Sequence, residues 1–188
     1  MTTPHAGPDP TSAPDPRGDR AAARPTIRVA TREDLPAAAA ILEPYVTGTA
    51  VTFDEDPPSP DAWAARLADI AARGLPFLVA EDAGTVVGYA YATPWRPKDS
   101  YRHTVEDTIY IAPEAQGRGV GTRLLSALLD ACALAGVRQV IAVVADDPAA
   151  AGSLPLHQRL GFEVVGVLRD VGVKHGHTVS TMLLQRSL

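Results

Sequence analysis

A glycine-rich turn directly before an amphipathic helix is the feature that most restricts how this chain can fold. The stretch EAQGRGVGTRLLSALLD runs from Glu114 to Asp130 and carries glycines at positions 117, 119 and 121. Glycine allows the backbone to approach a ligand closely, and the first turn of a helix presents unpaired N–H groups that bind anions. The turn therefore predicts a site for a phosphorylated ligand, which could be a dinucleotide, a nucleoside triphosphate or coenzyme A.

The helix behind this turn follows from the spacing of its apolar residues, which is that of one buried helix face. These residues are Val120, Leu124, Leu125, Leu128, Leu129 and Cys132. Gly136 is suited to end the helix, because glycine readily adopts the left-handed conformation of a C-terminal cap. The run RQVIAVV at 138–144 is apolar throughout, which is typical of a central strand covered on both faces.

Short strands and helices alternate along the rest of the chain. The predicted strands lie at 26–30, within a hairpin over 77–94, and at 103–111, 138–144, 162–170 and 178–185. The other predicted helices lie at 31–46, with Thr31 as the N-cap, at 61–73, and at 150–160. A strand–helix–strand unit implies a parallel strand pair, whereas the hairpins imply antiparallel pairs. The predicted fold is thus α/β (mixed α+β), with one mixed, largely antiparallel twisted sheet and helices on both faces.

The first 25 residues differ in composition from the rest of the chain. They hold six of the seventeen prolines and almost no large apolar residues. Such a segment cannot offset the entropy of ordering by burying apolar surface. We therefore predict a disordered Pro/Ala-rich tail over residues 1–25 and a single folded domain over residues 26–188.

Composition and charge argue against several classes of protein. The single cysteine, Cys132, rules out an internal disulfide and favours a reducing compartment, so we expect a cytoplasmic protein. A net charge of −5 argues against nucleic acid as a partner, because binding to phosphates requires a clustered basic surface. No apolar run is long enough to predict a membrane span, and no membrane partner is expected. His175 and His177 have no matching cluster of cysteines or carboxylates, so no metal site is expected.

The motif around the glycines separates the three phosphorylated ligands. A nucleoside triphosphate loop requires G-x-x-x-x-G-K-[ST], which this chain lacks. A dinucleotide site requires G-x-G-x-x-G and an acidic residue at the end of the next strand. Here the third glycine is misplaced at Gly121, and the strand RQVIAVV is followed by no acid before Asp146. What remains is Gln116-x-x-Gly119-x-Gly121 between a strand and a helix.

This motif resembles the Q/R-x-x-G-x-G/A signature of the GNAT superfamily of N-acetyltransferases. The resemblance extends over nearly all of Ile27 to Gln185 and is greatest to the phosphinothricin N-acetyltransferase-like branch. The stretches that carry it are IRVATREDLPAAAAI, FLVAEDAGTVVGYAYATPWRPKDSYRHTVEDTIYI, LHQRLGF and GVKHG. It implies a GNAT acetyltransferase domain over residues 26–188, acetyl-CoA as the acetyl donor, and a homodimer.

The resemblance also assigns residues to the donor. In the GNAT superfamily the glycine loop and the helix N-terminus bind the coenzyme A pyrophosphate, and the preceding strand offers backbone groups to the pantetheine and acetyl groups. Ser153 matches a serine of the pantetheine site, whereas Ala150 stands where the family commonly has asparagine, a role that Asp146 or Asp147 could take over. The implied donor-binding residues are Ile109, Tyr110, Ile111, Gln116, Gly117, Arg118, Gly119, Val120, Gly121, Thr122 and Ser153.

Acetyl transfer from a thioester to an amine needs a base for the amine proton, stabilisation of the developing oxyanion, and a proton for the departing thiolate. In the strand at 103–111, alternation places Glu106, Thr108 and Tyr110 on one face. Glu106 is the candidate base, and it matches the glutamate that has this role in the resembling branch. Asp107 falls on the otherwise apolar face, so we expect a β-bulge that would re-aim it, as in the GNAT family.

Two residues are candidates for the acid that protonates the thiolate. His157 matches a histidine that the resembling branch has where many GNAT members have a tyrosine, near the sulfur of coenzyme A. Imidazole titrates near neutral pH and can donate this proton. Tyr110 is the alternative donor, and the sequence leaves the choice between the two open.

The acceptor residues are implied by the same branch. Arg96, Lys98 and Tyr101 match positions associated with the acidic group of the acceptor, and such cations can clamp a carboxylate or phosphinate. The order of arginine and lysine is the reverse of that in the herbicide-acetylating members, and the two cations differ in geometry. The further candidates for acceptor contact are Phe53, Thr108, Lys174 and His175.

The predicted activity is acetyl-CoA-dependent N-acetylation of a small acidic amino acid or analogue, of the phosphinothricin, methionine sulfoximine or methionine sulfone type. The amine would attack the thioester directly in a ternary complex. Two alternatives stay open. One is an acetyltransferase of the same fold acting on a polyamine or a protein N-terminus, although the basic loop disfavours a polyamine. The other is a non-catalytic acyl-CoA-binding module.

Overall fold

The computed structural model describes Thr2 and residues 24–188. The predicted disordered tail at residues 1–25 therefore lies almost entirely outside the described residues. In chain order the described elements are β1 (Thr26–Val29), α1 (Leu35–Gly48), α2 (Pro60–Ala72), β2 (Phe77–Asp82), β3 (Thr85–Pro94), β4 (Thr104–Ile111), α3 (Val120–Leu134), β5 (Gln139–Ala145), α4 (Ser153–Arg159), β6 (Glu163–Lys174) and β7 (His177–Ser187). None of these helices is long and apolar enough to cross a membrane.

The seven strands form one mixed sheet, in the order β1-β2-β3-β4-β5-β7-β6. Among these strands β4 and β5 are the one parallel pair, and the other neighbours are antiparallel. A parallel pair needs a crossover connection, which α3 and the glycine-rich turn supply here. The sheet confirms the predicted mixed, largely antiparallel architecture.

Helices cover both faces of the sheet at its centre, where β3 lies. Residues Val87 to Ala92 of β3 are all buried, and successive side chains of a strand point to opposite faces. The α3 helix packs against β2, β3 and β4, and α2 contacts β2 and β3. On the α2 side Trp63 packs with Phe77, Tyr89 and Tyr91, in an aromatic cluster whose ring centroids lie 5.0 to 6.4 Å apart. This rigid cluster forms the floor beneath one end of the site described below.

The first helix begins later than the sequence predicts. Thr31 caps a short 3-10 turn at Arg32–Asp34, and α1 itself begins at Leu35. The Asp34 carboxylate fixes this turn by accepting the backbone N–H of Thr31 at 2.8 Å and pairing with the guanidinium of Arg28 at 2.7 Å. The hydrogen bond from Arg28 lowers the pKa of Asp34 to about 2.

The last helix also begins later than predicted, whereas α3 ends where predicted. Asp147 accepts the backbone N–H of Ala149 at 2.7 Å and so caps a separate 3-10 turn at Pro148–Ala150, after which α4 begins at Ser153. The C-terminal end of α3 is followed by Gly136, whose φ of +81° is the left-handed conformation expected of a helix stop.

The parallel strands β4 and β5 separate beyond Glu106. Their pairing covers Thr104–Glu106 on β4 and Gln139–Ile141 on β5. From Asp107 onward the edge of β4 that faces β5 has no strand partner, and a cleft opens between the carboxyl ends of the two strands. A crevice at the carboxyl ends of parallel strands is a common place for a ligand in mixed sheets.

Candidate active site

A cleft of about 1050 Å³ lies where β4 and β5 separate. Its walls are the free edge of β4, the end of β5, the glycine-rich turn, α4 and the loop after α1. The predicted site residues that border it are Phe53, Glu106, Thr108, Ile109, Tyr110, Ile111, Gln116, Gly117, Gly119, Val120, Gly121, Thr122, Ser153 and His157. The remaining ones, Arg96, Lys98, Tyr101, Arg118, Lys174 and His175, lie outside this cleft.

The glycine-rich turn leaves room for a large anion. Gly117 and Gly119 have φ angles of +71° and +78°, in the left-handed region that favours glycine. A Cβ atom at either position would meet no atom within 4 Å, so the space beside the turn is open. Gly119 is also the N-cap of α3, and no side chain caps the first N–H groups of this helix. The turn therefore fits a pyrophosphate, which needs backbone donors and an open approach.

The side chain of Gln116 fastens this turn to the neighbouring elements. Its Nε2 donates to the hydroxyl of Tyr45 at 2.6 Å, and that hydroxyl donates to the backbone carbonyl of Ile111 at 2.6 Å. The two hydrogen bonds join the turn, α1 and the end of β4. They also engage the Ile111 carbonyl, one of the groups predicted to face the donor. Tyr45 belongs to no motif, so the sequence does not reveal this contact.

Arg118 belongs to the predicted motif, but its side chain is directed elsewhere. Its Nη2 pairs with Oδ2 of Asp82, at the end of β2, over 2.7 Å. Both side chains are partly exposed, so the pair adds little stability and serves mainly to orient the turn. A contact between Arg118 and the donor stays a prediction, and it would have to use the backbone.

Glu106 is one of three carboxylates that border the cleft, together with Asp54 and Asp107. Burial raises the pKa of Glu106, the charge of Asp107 raises it further, and the charge of Arg96 partly offsets this rise. A carboxylate with a raised pKa is a stronger base for an ammonium proton than an ordinary surface glutamate. Glu106 is thus suited to the predicted role of general base.

The predicted β-bulge at Asp107 is absent from the pairing of β4 with β3. The register runs without a shift from Gly88 opposite Ile111 to Pro94 opposite Val105. Asp107 is 7% exposed, and its carboxylate is accommodated by a hydrogen bond to His157 instead of by a distortion of the strand. The free edge of β4 arises because β5 diverges, which provides unpaired backbone groups without a bulge.

His157 is buried, with 3% of its surface exposed, and both of its ring nitrogens have partners. Nδ1 lies 2.8 Å from the backbone carbonyl of Ser153, and Nε2 lies 3.1 Å from Oδ2 of Asp107. The ring of Phe162 packs edge-on against the imidazole, with centroids 4.9 Å apart. Burial lowers the pKa of His157, but the hydrogen bond and charge of Asp107 outweigh it, so the net shift is upward. The histidine therefore holds a proton more firmly than a free imidazole does.

Tyr110, the other candidate acid, borders the same cleft on β4. Burial raises its pKa to about 12, so the phenol stays protonated at neutral pH. Its ring lies 5.1 Å from that of Tyr45 and 5.6 Å from that of Tyr89. Tyr110 is thus a neutral hydrogen-bond donor at the cleft, whereas His157 contacts a carboxylate, that of Asp107.

The cations of the predicted acceptor loop lie in a second depression. Arg96 and Lys98 border it, and the Arg96 guanidinium lies 4.4 Å from the centroid of the Trp95 ring. Tyr101 follows in the same loop and is exposed. The charge of Arg96 acts on Glu106, so the loop is within electrostatic reach of the cleft. A direct contact of these residues with the acceptor stays a prediction.

Arg66 on α2 borders the main cleft together with Glu106, and so does Arg159 at the end of α4. The Arg66 guanidinium lies 5.0 Å from the centroid of the Trp63 ring and 5.6 Å from that of Tyr91. Within residues 24–188 it has neither a carboxylate partner nor a hydrogen-bond acceptor. Arg66 was not among the residues predicted from the sequence, although Trp63 three residues earlier on the same helix face was a signal that the Arg66 guanidinium could stack on an aromatic ring.

The loop after α1 forms the outer wall of the cleft and is anchored at three points. The ring of Phe53 lies against Gly172 of β6, where a Cβ atom would approach within 2.5 Å of it. The Lys174 ammonium donates to the backbone carbonyl of Asp54. Oδ2 of Asp147 accepts the N–H of Ala50 at 3.1 Å, so Asp147 is engaged here and is not free to replace the missing asparagine.

Lys174 and His175, the two candidates for acceptor contact near the end of the chain, do not border the cleft. Lys174 is 1% exposed, and its ammonium supports the wall of the cleft from behind. His175 lies in the turn between β6 and β7 with a φ of +51°, and its side chain is exposed. Any contact of either residue with the acceptor stays a prediction that the cleft itself does not require.

Replacing Gly172 with alanine should move the Phe53 ring without disturbing the fold. The added Cβ would overlap the ring, which is half-exposed and free to shift. We expect the KM for the acceptor to rise about fivefold, which corresponds to about 1 kcal/mol, with the KM for acetyl-CoA unchanged. Gly166→Ala is the matched control on the same strand, since a Cβ there meets nothing within 4 Å. Equal kinetics in the two variants, measured by initial rates, would contradict a role for Phe53 in the acceptor pocket.

Metal ligands are not clustered in the described part of the chain. Among those residues no group of three or more histidine, cysteine, aspartate or glutamate side chains could hold a metal ion.

Known proteins are similar to this chain in sequence and in fold. The model of the acetyltransferase (GNAT) family matches residues 38–162. A phosphinothricin N-acetyltransferase of Alcaligenes faecalis is 49% identical over 164 residues, which cover 87% of this chain and 82% of that protein. An L-methionine sulfoximine/L-methionine sulfone acetyltransferase of Pseudomonas aeruginosa is 37% identical over 164 residues, which cover 87% and 94%. The crystal structure of a GNAT superfamily phosphinothricin acetyltransferase from Sinorhizobium meliloti in complex with acetyl-CoA matches with a TM-score of 0.83 at 42% identity, over 88% of this chain and 89% of that one.

The fold and the sequence similarity place the chain among the acyltransferases. The chain belongs to the GNAT family of acetyltransferases. It is an acetyl-CoA-dependent N-acetyltransferase, and the predicted family, enzyme class and acetyl donor are confirmed.

Proposed function

We propose that this enzyme acetylates the amine of a small amino acid that carries a second acidic group. One observation carries the proposal: a single cleft contains the carboxylate of Glu106, the guanidinium of Arg66, which has no carboxylate partner among residues 24–188, and the glycine turn. The turn receives the donor at one end, Glu106 receives the amine proton, and Arg66 attracts the acidic group of the acceptor. A guanidinium is well suited to this last task because its planar fork matches a carboxylate or phosphinate.

The relatives support an acceptor of this class. They are named for phosphinothricin and for methionine sulfoximine and methionine sulfone, which are small amino acids with a polar or acidic side-chain group. Arg66 and Arg159 border the cleft and favour an acceptor with an acidic group over a polyamine, which would have to use Asp54, Glu106 or Asp107. The net charge of −5 likewise supports a small-molecule acceptor over nucleic acid.

We assign the steps to residues as follows. Glu106 accepts a proton from the ammonium group of the acceptor, directly or through water. The backbone of Ile109 to Ile111 and the turn at 116–122 orient the donor, and Ser153 borders its path. His157 supplies the proton that the departing thiolate takes up, with Tyr110 as the alternative donor. Both substrates occupy the cleft together, so initial-rate plots should show intersecting lines.

A thiol-release assay with acetyl-CoA and a panel of amines tests the proposal. The panel contains phosphinothricin, methionine sulfoximine, methionine sulfone, a polyamine and a short peptide with a free N-terminus. We expect kcat/KM on the best amino acid to exceed that on the polyamine by about 10²-fold or more, because the site pairs a cation with the acidic group. A higher kcat/KM on the polyamine or the peptide would show that the enzyme acts on a polyamine or on a protein N-terminus instead. Binding of coenzyme A without turnover on any amine would reject the assignment of an active enzyme.

We further infer a homodimer that forms through β6. This strand lies at the edge of the sheet and exposes Val165, Val167, Val171 and Val173, each more than half exposed. An exposed apolar edge strand invites pairing with a second copy. Light scattering of the eluting protein should give twice the chain mass of 19.7 kDa.

Val167→Glu should shift this dimer to the monomer, because it places a charge within the apolar strand. We expect the dissociation constant to rise by at least about tenfold, or about 1.4 kcal/mol. Val29→Glu is the control, since Val29 is an exposed valine of β1 at the opposite edge of the sheet. A wild-type protein that elutes as a monomer at micromolar concentration would reject the dimer.

We also propose a cytoplasmic location. The support is the single cysteine, Cys132, which is buried in α3 as a free thiol and suits a reducing compartment. Fractionation of cells that express the full chain tests this location.

A further inference from the structure

The Asp107–His157 pair has a geometry that determines how many protons it holds. A backbone carbonyl can only accept, so the contact of 2.8 Å between Nδ1 and the Ser153 carbonyl requires a proton on Nδ1. A neutral imidazole protonated at Nδ1 has a lone pair on Nε2. That lone pair would then face Oδ2 of Asp107, an acceptor, at 3.1 Å. The contact is favourable only when one further proton lies between Nε2 and Oδ2.

Burial strengthens this requirement. Asp107 and His157 are 7% and 3% exposed, and Oδ1 of Asp107 has no hydrogen-bond partner among the described residues. A buried carboxylate costs free energy unless a positively charged partner or a shared proton compensates its charge. With the extra proton the pair is neutral overall, either as imidazolium with carboxylate or as imidazole with carboxylic acid. Without it the pair would leave an uncompensated negative charge in the protein.

Six other ionisable side chains lie on the elements around the pair, and they include Tyr110 on β4 and Arg123 and Asp130 on α3. Glu106 precedes Asp107 on β4, Arg159 ends α4, and Cys132 lies on α3. Burial and then the charge of Asp107 raise the pKa of Cys132 to about 12, so this thiol is neutral. Within the described chain none of these six hydrogen-bonds to the imidazole or to the Asp107 carboxylate. The Ser153 hydroxyl lies 3.4 Å from Nδ1, farther than the Ser153 carbonyl at 2.8 Å. The proton count of the pair is thus set by Asp107, His157 and Ser153.

We propose that Asp107 is a positioning residue that keeps one extra proton on His157, and that this stored proton is the one delivered to the departing thiolate. The proposal rests on the proposed function. The amine lone pair forms the C–N bond, the C–S bond breaks, and its electron pair goes to sulfur. Glu106 accepts the proton lost by the amine, and His157 gives its Nε2 proton to the sulfur. The pair is recharged by a proton passed from Glu106 through solvent, so no external acid is consumed.

Nitrogen NMR of the full chain labelled with 15N-histidine tests the stored proton without any turnover. The His157 signals are identified by their loss in His157→Asn. At about pH 8.5, roughly two units above the ordinary histidine pKa, we expect both ring nitrogens of wild-type His157 to be protonated. An unprotonated Nε2 in the wild-type protein under these conditions overturns the proposal, whether or not any variant folds.

Asp107→Asn is the matched substitution, because the amide keeps the size and one hydrogen bond but not the extra proton. Its Nδ2–H would donate to Nε2, so His157 should be neutral with a proton on Nδ1 alone. We expect kcat to fall about 10²-fold with the KM for acetyl-CoA unchanged, and the alkaline decline of kcat to move to lower pH. Cys132→Ala is the control, since it removes a thiol that feels the charge of Asp107 and leaves the pair intact.

The two kinds of readout separate this proposal from the proposed function. If wild-type protein acetylates amines and Asp107→Asn keeps the wild-type kcat although its His157 is neutral, the stored proton is not used and the proposal fails. If no amine is acetylated but wild-type His157 is doubly protonated, the proposed function fails while the proton count stands. A lower kcat in Asp107→Asn that accompanies a neutral His157 supports the proposal.

Discussion

Glu106→Gln is expected to lower kcat for acetyl transfer by about 10³-fold, within the range for loss of a general base. The amide keeps the shape of the side chain but cannot take the amine proton. Binding of acetyl-CoA should be unchanged, because the glycine turn and α3 N-terminus are separate from this side chain. Stopped assays of thiol release and direct titration of the donor measure the two effects.

The pH dependence gives a second test of Glu106. Burial raises its pKa, so the carboxylate form that acts as a base accumulates only above the ordinary glutamate range. The kcat/KM of the wild-type enzyme should therefore rise with pH through this raised pKa, and the rise should be missing in Glu106→Gln. Glu43→Gln, at an exposed position on α1, is the control and should keep the wild-type profile. If Glu106→Gln keeps both the wild-type rate and the rise of kcat/KM with pH, another residue is the base.

Arg66→Gln should raise the KM for an acidic acceptor about 30-fold, or about 2 kcal/mol, the scale of a hydrogen bond to a charged group. The KM for acetyl-CoA should stay the same, since Arg66 lies on α2 and the donor turn precedes α3. Arg66→Lys should recover only part of the loss, because an ammonium lacks the planar fork and the stacking on Trp63 and Tyr91.

Arg96→Gln provides the comparison for Arg66. If Arg66 is the acceptor clamp, the Arg96 variant should change KM by less than about threefold, since Arg96 stacks on Trp95 outside the main cleft. An acceptor whose acidic group is replaced by an amide should show no difference between wild type and Arg66→Gln. The reverse pattern, in which Arg96→Gln changes the acceptor KM strongly and Arg66→Gln changes it little, would show that the loop of Arg96 binds the acidic group.

Much of the fold was predictable because it depends on local patterns. The parallel pair β4 and β5 followed from a glycine turn and an apolar helix between two strands, and the end of α3 followed from Gly136. Helix starts were less predictable. The 3-10 turn at Arg32–Asp34 depends on Arg28 from β1, so the contact that sets it is not visible in the helix itself.

The residues of the site likewise differ in how far the sequence predicts them. Turn 116–121 and Glu106 could be identified from sequence because a motif and a strand pattern mark them. Arg66 could not, because its place in the cleft depends on how α2 packs against β2 and β3. Asp107 was interpreted as a sign of a bulge, since the sequence does not show that α4 brings His157 within 3.1 Å of it.

By itself the sequence identified the family, the acetyl donor and the candidate base Glu106, because these depend on residues close together in the chain. Only the tertiary structure showed that Arg66 borders the cleft with Glu106 and that His157 accommodates Asp107. Arg66 and Glu106 are 40 positions apart and Asp107 and His157 are 50 apart. Contacts at such separations follow from the packing of helices on the sheet, which no local pattern encodes.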